Sequence, residues 1–208
     1  MEVTAELRWF WRGGCPDVVS RWFHAGPFIP PGADKAVRVD RYLLNTGSRE
    51  IGLKLRSEGE REQAVELKDQ IGFGPVIAVG PGCRRRAQLW CKWRLASIVP
   101  GPTIPVEKAR LLRRFAVGRH EVREVPSLAA EQSRSSGEPE LACEVELSSV
   151  LLPGADGVWA TLAFEAGGDP ASAGDALGRV AEATQPPLPA GGSLWSYPEW
   201  LEQAPRSR

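Results

Sequence analysis

The chain has 208 residues, 42% of them apolar and 25% charged, with 26 basic side chains against 26 acidic ones. Such a composition belongs to a folded protein with a substantial core, not to a disordered chain. The cancelled charge excludes a global attraction to nucleic acid or to an anionic membrane, and no apolar run is long enough to span a bilayer as a helix.

Residues 2–11 predict a first strand, with Thr4, Glu6 and Arg8 on one face and Leu7, Trp9 and Trp11 on the other. The opening Met-Glu-Val-Thr-Ala-Glu lacks the basic and apolar regions of a signal peptide. Cys15, Cys83, Cys91 and Cys143 show neither C-x-x-C spacing nor a nearby histidine pairing. They read as buried thiols of a reducing compartment rather than zinc ligands, and the expected location is cytoplasmic. Residues 13–24 suit a short helix after a turn, and 25–33, with three prolines and two glycines, a loop.

Residues 36–44 predict a second strand, and 45–48 a hairpin turn. The turn leads into Leu53-Lys54-Leu55-Arg56 and Val65-Glu66-Leu67-Lys68, which alternate strictly and so predict two strands joined by the polar turn 57–63. The Gly-rich stretch 70–83 contains Gly72-Phe73-Gly74-Pro75, without the third glycine or the Gly-Lys-Ser/Thr ending of a phosphate loop. Strands follow at 86–99 (Lys92, Arg94), 104–117 (Lys108, Arg110), 119–125, 140–151 (Glu144, Glu146) and 158–166, with a surface loop at 127–139. Residues 171–183 predict a helix that buries Ala176, Leu177 and Val180. A Pro/Gly-rich linker at 185–192 precedes Tyr197-Pro-Glu-Trp-Leu201, which is expected to dock its two aromatics.

Eight or nine mostly antiparallel strands with few helices make a mainly-β (α+β) chain, and a closed barrel or a two-sheet sandwich would fit. Charged residues stand two apart at Glu6/Arg8, Arg38/Asp40, Lys92/Arg94, Lys108/Arg110, Glu121/Arg123 and Glu144/Glu146. In a sandwich such a face is simply wet. The seven cations Lys54, Arg56, Lys68, Lys92, Arg94, Lys108 and Arg110, however, suggest one sign gathered in one region. In a closed barrel that face becomes a lumen, whose cations repel one another unless a multivalent anion lies among them. Glu6, Glu144 and Glu146 would add oxygen ligands for a hard divalent cation. Residues 84–124 hold eleven Lys/Arg against three Glu, which favours a small anionic ligand over a polymer. His24 and His120 stand alone, and Arg84-Arg85-Arg86 reads as a solvated turn without the interleaved aromatics of a nucleic-acid site.

In their order, Glu6-x-Arg8, Leu53-Lys54-Leu55-Arg56, Glu66-Leu67-Lys68, Val106-Glu107-Lys108-Ala109-Arg110 and Cys143-Glu144-Val145-Glu146-Leu147 resemble the CYTH-type triphosphate tunnel metalloenzymes. The resemblance covers residues 2–166, leaving 167–208 as a C-terminal helix, linker and docked tail of the same domain. It implies an eight-stranded antiparallel β-barrel whose tunnel binds triphosphates with Mg²⁺ or Mn²⁺. The implied activity is hydrolysis of a phosphoanhydride of tripolyphosphate or of an organic or nucleoside triphosphate. Glu6, Glu144 and Glu146 fall at the metal-binding positions, with Glu6 and Glu146 catalytic. Arg8, Lys54, Arg56, Lys68, Lys108 and Arg110 fall at the phosphate-binding positions, and Lys92 and Arg94 share the pattern. Thr4 stands where the family carries the first glutamate of Glu-x-Glu-x-Lys, so a barrel that binds polyphosphate or a phosphorylated ligand without hydrolysing it is the alternative. The expected partner is a small triphosphate or polyphosphate, not a membrane or a nucleic acid. Association into a homodimer is left open.

Overall fold

The structure, a computed structural model, describes residues 1–29, 37–43, 48–58, 62–80, 82–95, 101–126, 141–154 and 157–204, with backbone alone at 56–58, 62–64 and 95. The predicted turn 45–48 and loop 127–139 therefore lie wholly or mostly outside the described residues. Ten strands form one sheet: β1 (Glu2–Arg12), β2 (Val37–Leu43), β3 (Ile51–Glu58), β4 (Glu62–Ala78), β5 (Arg84–Leu95), β6 (Thr103–Val117), β7 (Val122–Val125), β8 (Leu141–Leu151), β9 (Trp159–Gly167) and β10 (Ser193–Leu194). Among the described residues three helices accompany it: α1 (Asp17–His24), α2 (Pro170–Thr184) and α3 (Tyr197–Gln203).

Eight of the strands pair in the order β1-β5-β4-β3-β2-β6-β8-β9, and β9 pairs back onto β1 from Thr4↔Gly167 to Arg12↔Trp159. The sheet thus closes into a ring in which every pairing is antiparallel. A single ring, rather than two stacked sheets, resolves the choice the sequence left. Alternation then sorts the side chains. On β1 the odd positions Ala5, Leu7, Trp9 and Trp11 face outward into a core shared with α1 and α2. The even positions Glu6, Arg8 and Phe10 turn inward.

α2 lies across the outer face because one side of it is small and apolar: Ala173, Ala176, Leu177, Val180 and Ala181 are buried against Leu7, Val79 and Phe164. Asp169 starts the helix by accepting from the backbone N–H of Ala171 (3.1 Å) and Ser172 (3.2 Å). A Cβ on Gly174 would lie 2.6 Å from Cδ of Pro75, so only glycine lets the helix approach this part of β4. There the ladder slips in register between Gln70 and Gly72 and again between Phe73 and Val76. The Gly-rich stretch that the sequence left without an element is therefore the bulged end of a long strand. α1 adds Val19 and Phe23 to the same core, and the Trp22 indole donates to the Thr184 carbonyl at 2.9 Å. Leu53, Leu55, Leu67 and Trp93 are only half-buried and belong to neither core.

A second core fills one end of the ring from within. Phe10, Tyr42, Val106, Val150, Leu152 and Trp159 surround Trp200 and Leu201 of α3. Ser196 and Glu199 start that helix with a capping box, the Ser196 hydroxyl accepting from the Glu199 N–H (3.3 Å) and the Glu199 carboxylate from the Ser196 N–H (2.6 Å). The expected docking of Tyr197 and Trp200 is borne out: Trp200 stacks on Phe10 and Tyr197 on Tyr42. Of the cysteines, all free, Cys91 and Cys143 are buried while Cys15 and Cys83 are only half-buried, which corrects the expectation that all four are core thiols. Arg84, Arg85 and Arg86 are exposed, as expected, but they open β5 rather than form a turn.

Candidate functional site

Beyond the aromatic end, the interior of the ring is a cavity of about 810 Å³. Glu6, Arg8, Lys54, Lys68, Lys92, Arg94, Lys108, Arg110, Glu144 and Glu146 all line it. These ten residues come from β1, β3, β4, β5, β6 and β8, and the inward alternation of a closed ring brings them together. Arg56 belongs to β3, with its backbone opposite Asp40 and Ala64, but its side chain lies outside the described residues.

Arg8 is the centre of the network. Its Nε lies 2.9 Å from Glu6, while one terminal nitrogen lies 3.0 Å from Glu146 and 3.3 Å from the Thr161 hydroxyl. Its guanidinium also stands over the Tyr197 ring, 4.7 Å from the centroid. Glu6 takes a further ion pair from Lys68, and Glu146 accepts from the Ser148 hydroxyl (3.1 Å) and faces Arg110 (3.4 Å). Lys92 pairs with Glu165, Lys54 with Glu66 (2.7 Å), and Glu144 with Arg114 (3.0 Å). Lys108 is buried between Asp40 (2.9 Å), the Tyr42 hydroxyl (2.8 Å) and the Tyr197 ring, whose centroid lies 3.5 Å from Nζ. Arg94 is exposed and makes no ion pair among the described residues.

A lumen whose cations repel one another unless an anion lies among them is not what forms. Arg8, Lys54, Lys68, Lys92 and Lys108 each meet a carboxylate from another strand, so the repulsion among cations is relieved within the protein. Among the described residues eight cations line the cavity against six carboxylates, and Asp40 stands behind two of the cations, which leaves a small positive excess. Glu165 was not identified from sequence as a site residue. It stands in register with both Glu6 on β1 and Glu144 on β8, which makes a row of three carboxylates across three strands. Its strand, Trp-Ala-Thr-Leu-Ala-Phe-Glu-Ala-Gly, has no charged partner two residues away, and the one signal was a lone acid in an otherwise apolar strand. Asp40 and Glu66 do sit in alternating motifs, but only their spacing to cations was legible. Tyr42, Tyr197 and Trp90 read as ordinary core aromatics.

The cations set the protonation states. Burial pushes the Glu146 carboxyl up, but Arg8, Arg110 and Lys108 outweigh it and hold the group at about 2. Asp40 is likewise brought to about 2, where burial is outweighed by Lys108, Lys54 and Arg38. Glu6 and Glu165 are also held below the ordinary carboxylate range, against burial, chiefly by Lys68 for the first and Lys92 for the second. Lys108 moves to about 8, because burial outweighs the pull of Asp40 and Glu146.

A pH dependence follows. These carboxylates bind protons more weakly in the folded chain than in the unfolded one, so their stabilisation is complete above about pH 4.5. It is lost as pH falls towards about 2. Glu146 alone accounts for about 3 kcal/mol of it, at 1.36 kcal/mol per pKa unit. Urea midpoints measured from pH 7 down to pH 2 should fall steeply below about pH 4.5, and a flat profile would contradict the buried network.

Among the described residues no three ligating side chains converge closely enough to hold a metal ion. No family model, curated protein or solved structure matches this chain.

Proposed function

We propose that the cavity is a polyphosphate site, the triphosphate tunnel of a β-barrel, and that the protein is a divalent-metal-dependent triphosphatase. The observation that carries this reading is the convergence of Arg8, Lys54, Lys68, Lys92, Arg94, Lys108 and Arg110, from separate strands, on one cavity with an excess of positive charge. An 810 Å³ space suits a small ligand, not a polymer. Arg94 and Arg110 provide planar guanidinium groups that can pair with two phosphate oxygens in bidentate fashion. Lys68 and Lys92 neutralise the charge that builds on the leaving phosphate.

Glu6, Glu144 and Glu146 would supply the carboxylate oxygens that a hard divalent cation takes, but as they stand they do not converge on one point. To hold Mg²⁺ or Mn²⁺ these residues must exchange their present partners: Lys68 and Arg8 for Glu6, Arg8 and Arg110 for Glu146, and Arg114 for Glu144. A metal held there would supply Lewis-acid polarisation of phosphate oxygens and activation of water. Arg8 would then be available to the phosphate.

A second reading, binding without hydrolysis, is favoured by a different observation. Thr4 stands where the family resembled carries a glutamate, and Glu6, Glu165 and Glu144 are each neutralised by a cation. One experiment separates the two. Phosphate release from tripolyphosphate is measured with Mg²⁺ or Mn²⁺, alongside a melting curve. A ligand that binds the folded state alone raises the midpoint by mass action. Release that stops in chelator and in a folded Glu146→Ala variant is the result expected of the enzyme. A raised midpoint without release selects the binding protein, and neither effect sinks the polyphosphate reading.

A further inference from the structure

β4 and β5 run on past the strands that flank them. β3 pairs with β4 only as far as Ile51↔Asp69, and β1 with β5 only as far as Glu6↔Gln88. Residues 71–78 and 84–87 therefore form a two-stranded ribbon that overhangs the ring. Residues paired across a ladder share a face. One face of the ribbon packs Ile77, Ala87 and Leu89 into the outer core with α2. The opposite face carries Phe73, Val76 and Ala78 on β4, and Arg84, Arg86 and Gln88 on β5.

That second face is open. Phe73 is 59% and Val76 46% exposed, and Ala78, Arg84 and Arg86 are exposed beside them. Cover resumes at Gln88, whose side chain donates to Glu199 of α3 at 3.5 Å. Along the chain, Arg84-Arg85-Arg86 stands apart from any aromatic. The ladder supplies what the sequence separates, setting Val76 opposite Arg86 and Phe73 opposite Gln88.

Exposed apolar side chains flanked by cations fit a partner that is anionic at its surface and apolar just beneath it. A second copy joined through the same face would bring two pairs of arginines together, and like charges oppose that contact. A stable protein interface takes about 20–30 residues a side, far more than this ribbon face presents. A lipid surface demands neither that area nor a matching shape. Phe and Val enter the boundary between headgroups and acyl chains, and arginines are drawn to acidic headgroups.

We propose that the overhanging β4–β5 ribbon docks on an anionic phospholipid surface, with Phe73 and Val76 entering it and Arg84 and Arg86 pairing with headgroups. None of these residues lines the cavity, so the proposal stands or falls apart from the polyphosphate reading. It also revises the expectation of no membrane partner, which rested on the cancelled charge of the whole chain and not on how that charge is distributed.

Co-sedimentation of the full chain with vesicles tests it, using phosphatidylcholine alone and phosphatidylcholine mixed with phosphatidylserine. Wild type should partition onto the anionic vesicles, less so as salt rises, and not onto the neutral ones. The double variant Arg84→Gln/Arg86→Gln should weaken partitioning roughly thirtyfold, at about fivefold for each arginine. Phe73→Ser should weaken it about tenfold, through lost apolar burial. Both variants should melt with wild type, since the side chains they change are exposed. Wild type that stays in the supernatant with anionic vesicles overturns the proposal, as does pelleting that both variants retain in full. Light scattering that finds a wild-type dimer and a monomeric Phe73→Ser assigns the face to a second copy, which overturns it as well.

Discussion

Replacing Arg8 with methionine is expected to destabilise the fold by about 3–5 kcal/mol, the range for breaking a buried ion pair by removing one partner. Arg8 is 6% exposed and is shared by two carboxylates from different strands. Methionine fills a similar volume, so the loss reports charge and hydrogen bonding more than packing. Glu6 keeps Lys68, and Glu146 keeps Arg110 and Ser148, so neither acid is left wholly unpaired and the lower end of the range is expected. Urea unfolding at pH 7 measures the difference. The same comparison at pH 3 should give a smaller one, because in the variant the glutamates that have lost the guanidinium take up a proton more readily and no longer stand as buried charges. A loss below about 1 kcal/mol would mean that water already reaches the pair and screens it.

Trp200→Ala is expected to cost a similar amount, about 3–5 kcal/mol, for a different reason. The indole is fully buried and stacks on Phe10, with ring centroids 5.3 Å apart and planes 13° from parallel. Trp159 and Tyr197 meet it edge-on at 6.0 and 5.9 Å. Truncation removes the centre of the core that fills one end of the ring, and the surrounding strands, held in a closed ladder, have little freedom to collapse into the space. Equilibrium unfolding should show the loss without the acid dependence of the Arg8 variant. If Trp200→Ala is instead nearly as stable as wild type, α3 does not hold that end of the ring together.

Most of the fold was legible because alternation is a local signal. The strands predicted around Lys54, Lys68, Lys92, Lys108 and Glu144 appear as β3, β4, β5, β6 and β8, and the helix predicted at 171–183 appears as α2. The end of β4 was not legible. Glycines at 72 and 74 and Pro75 suggest a loop, and only packing beneath α2 and pairing with β5 extend the strand to Ala78. The site was half legible for a related reason. Alternation reports which side chains share a face of one strand, but not which residue stands opposite on the next. The meeting of Lys92 with Glu165, or of Arg8 with Glu146, depends on registers between strands distant in sequence. Alternation therefore brings six of the seven cations to one cavity, the Arg56 side chain lying outside the described residues, but does not say which carboxylate each one meets.

Closure of the ring also governs how the chain can acquire its structure. β1 is synthesised before every strand it pairs with, since its ladders are with β5, β9 and the short β10. A growing chain carries Glu2–Arg12 with no neighbour on either edge until β5 has emerged, and without the second long ladder until residues 159–167 follow. Contacts between such remote segments carry a large loop-closure entropy and make folding slow. During that interval Leu7, Trp9 and Trp11 form an apolar strand with open edges, which is a template for pairing with other chains. A chain cut before Trp159 keeps these edges permanently, and should collect as aggregate rather than as a smaller folded unit.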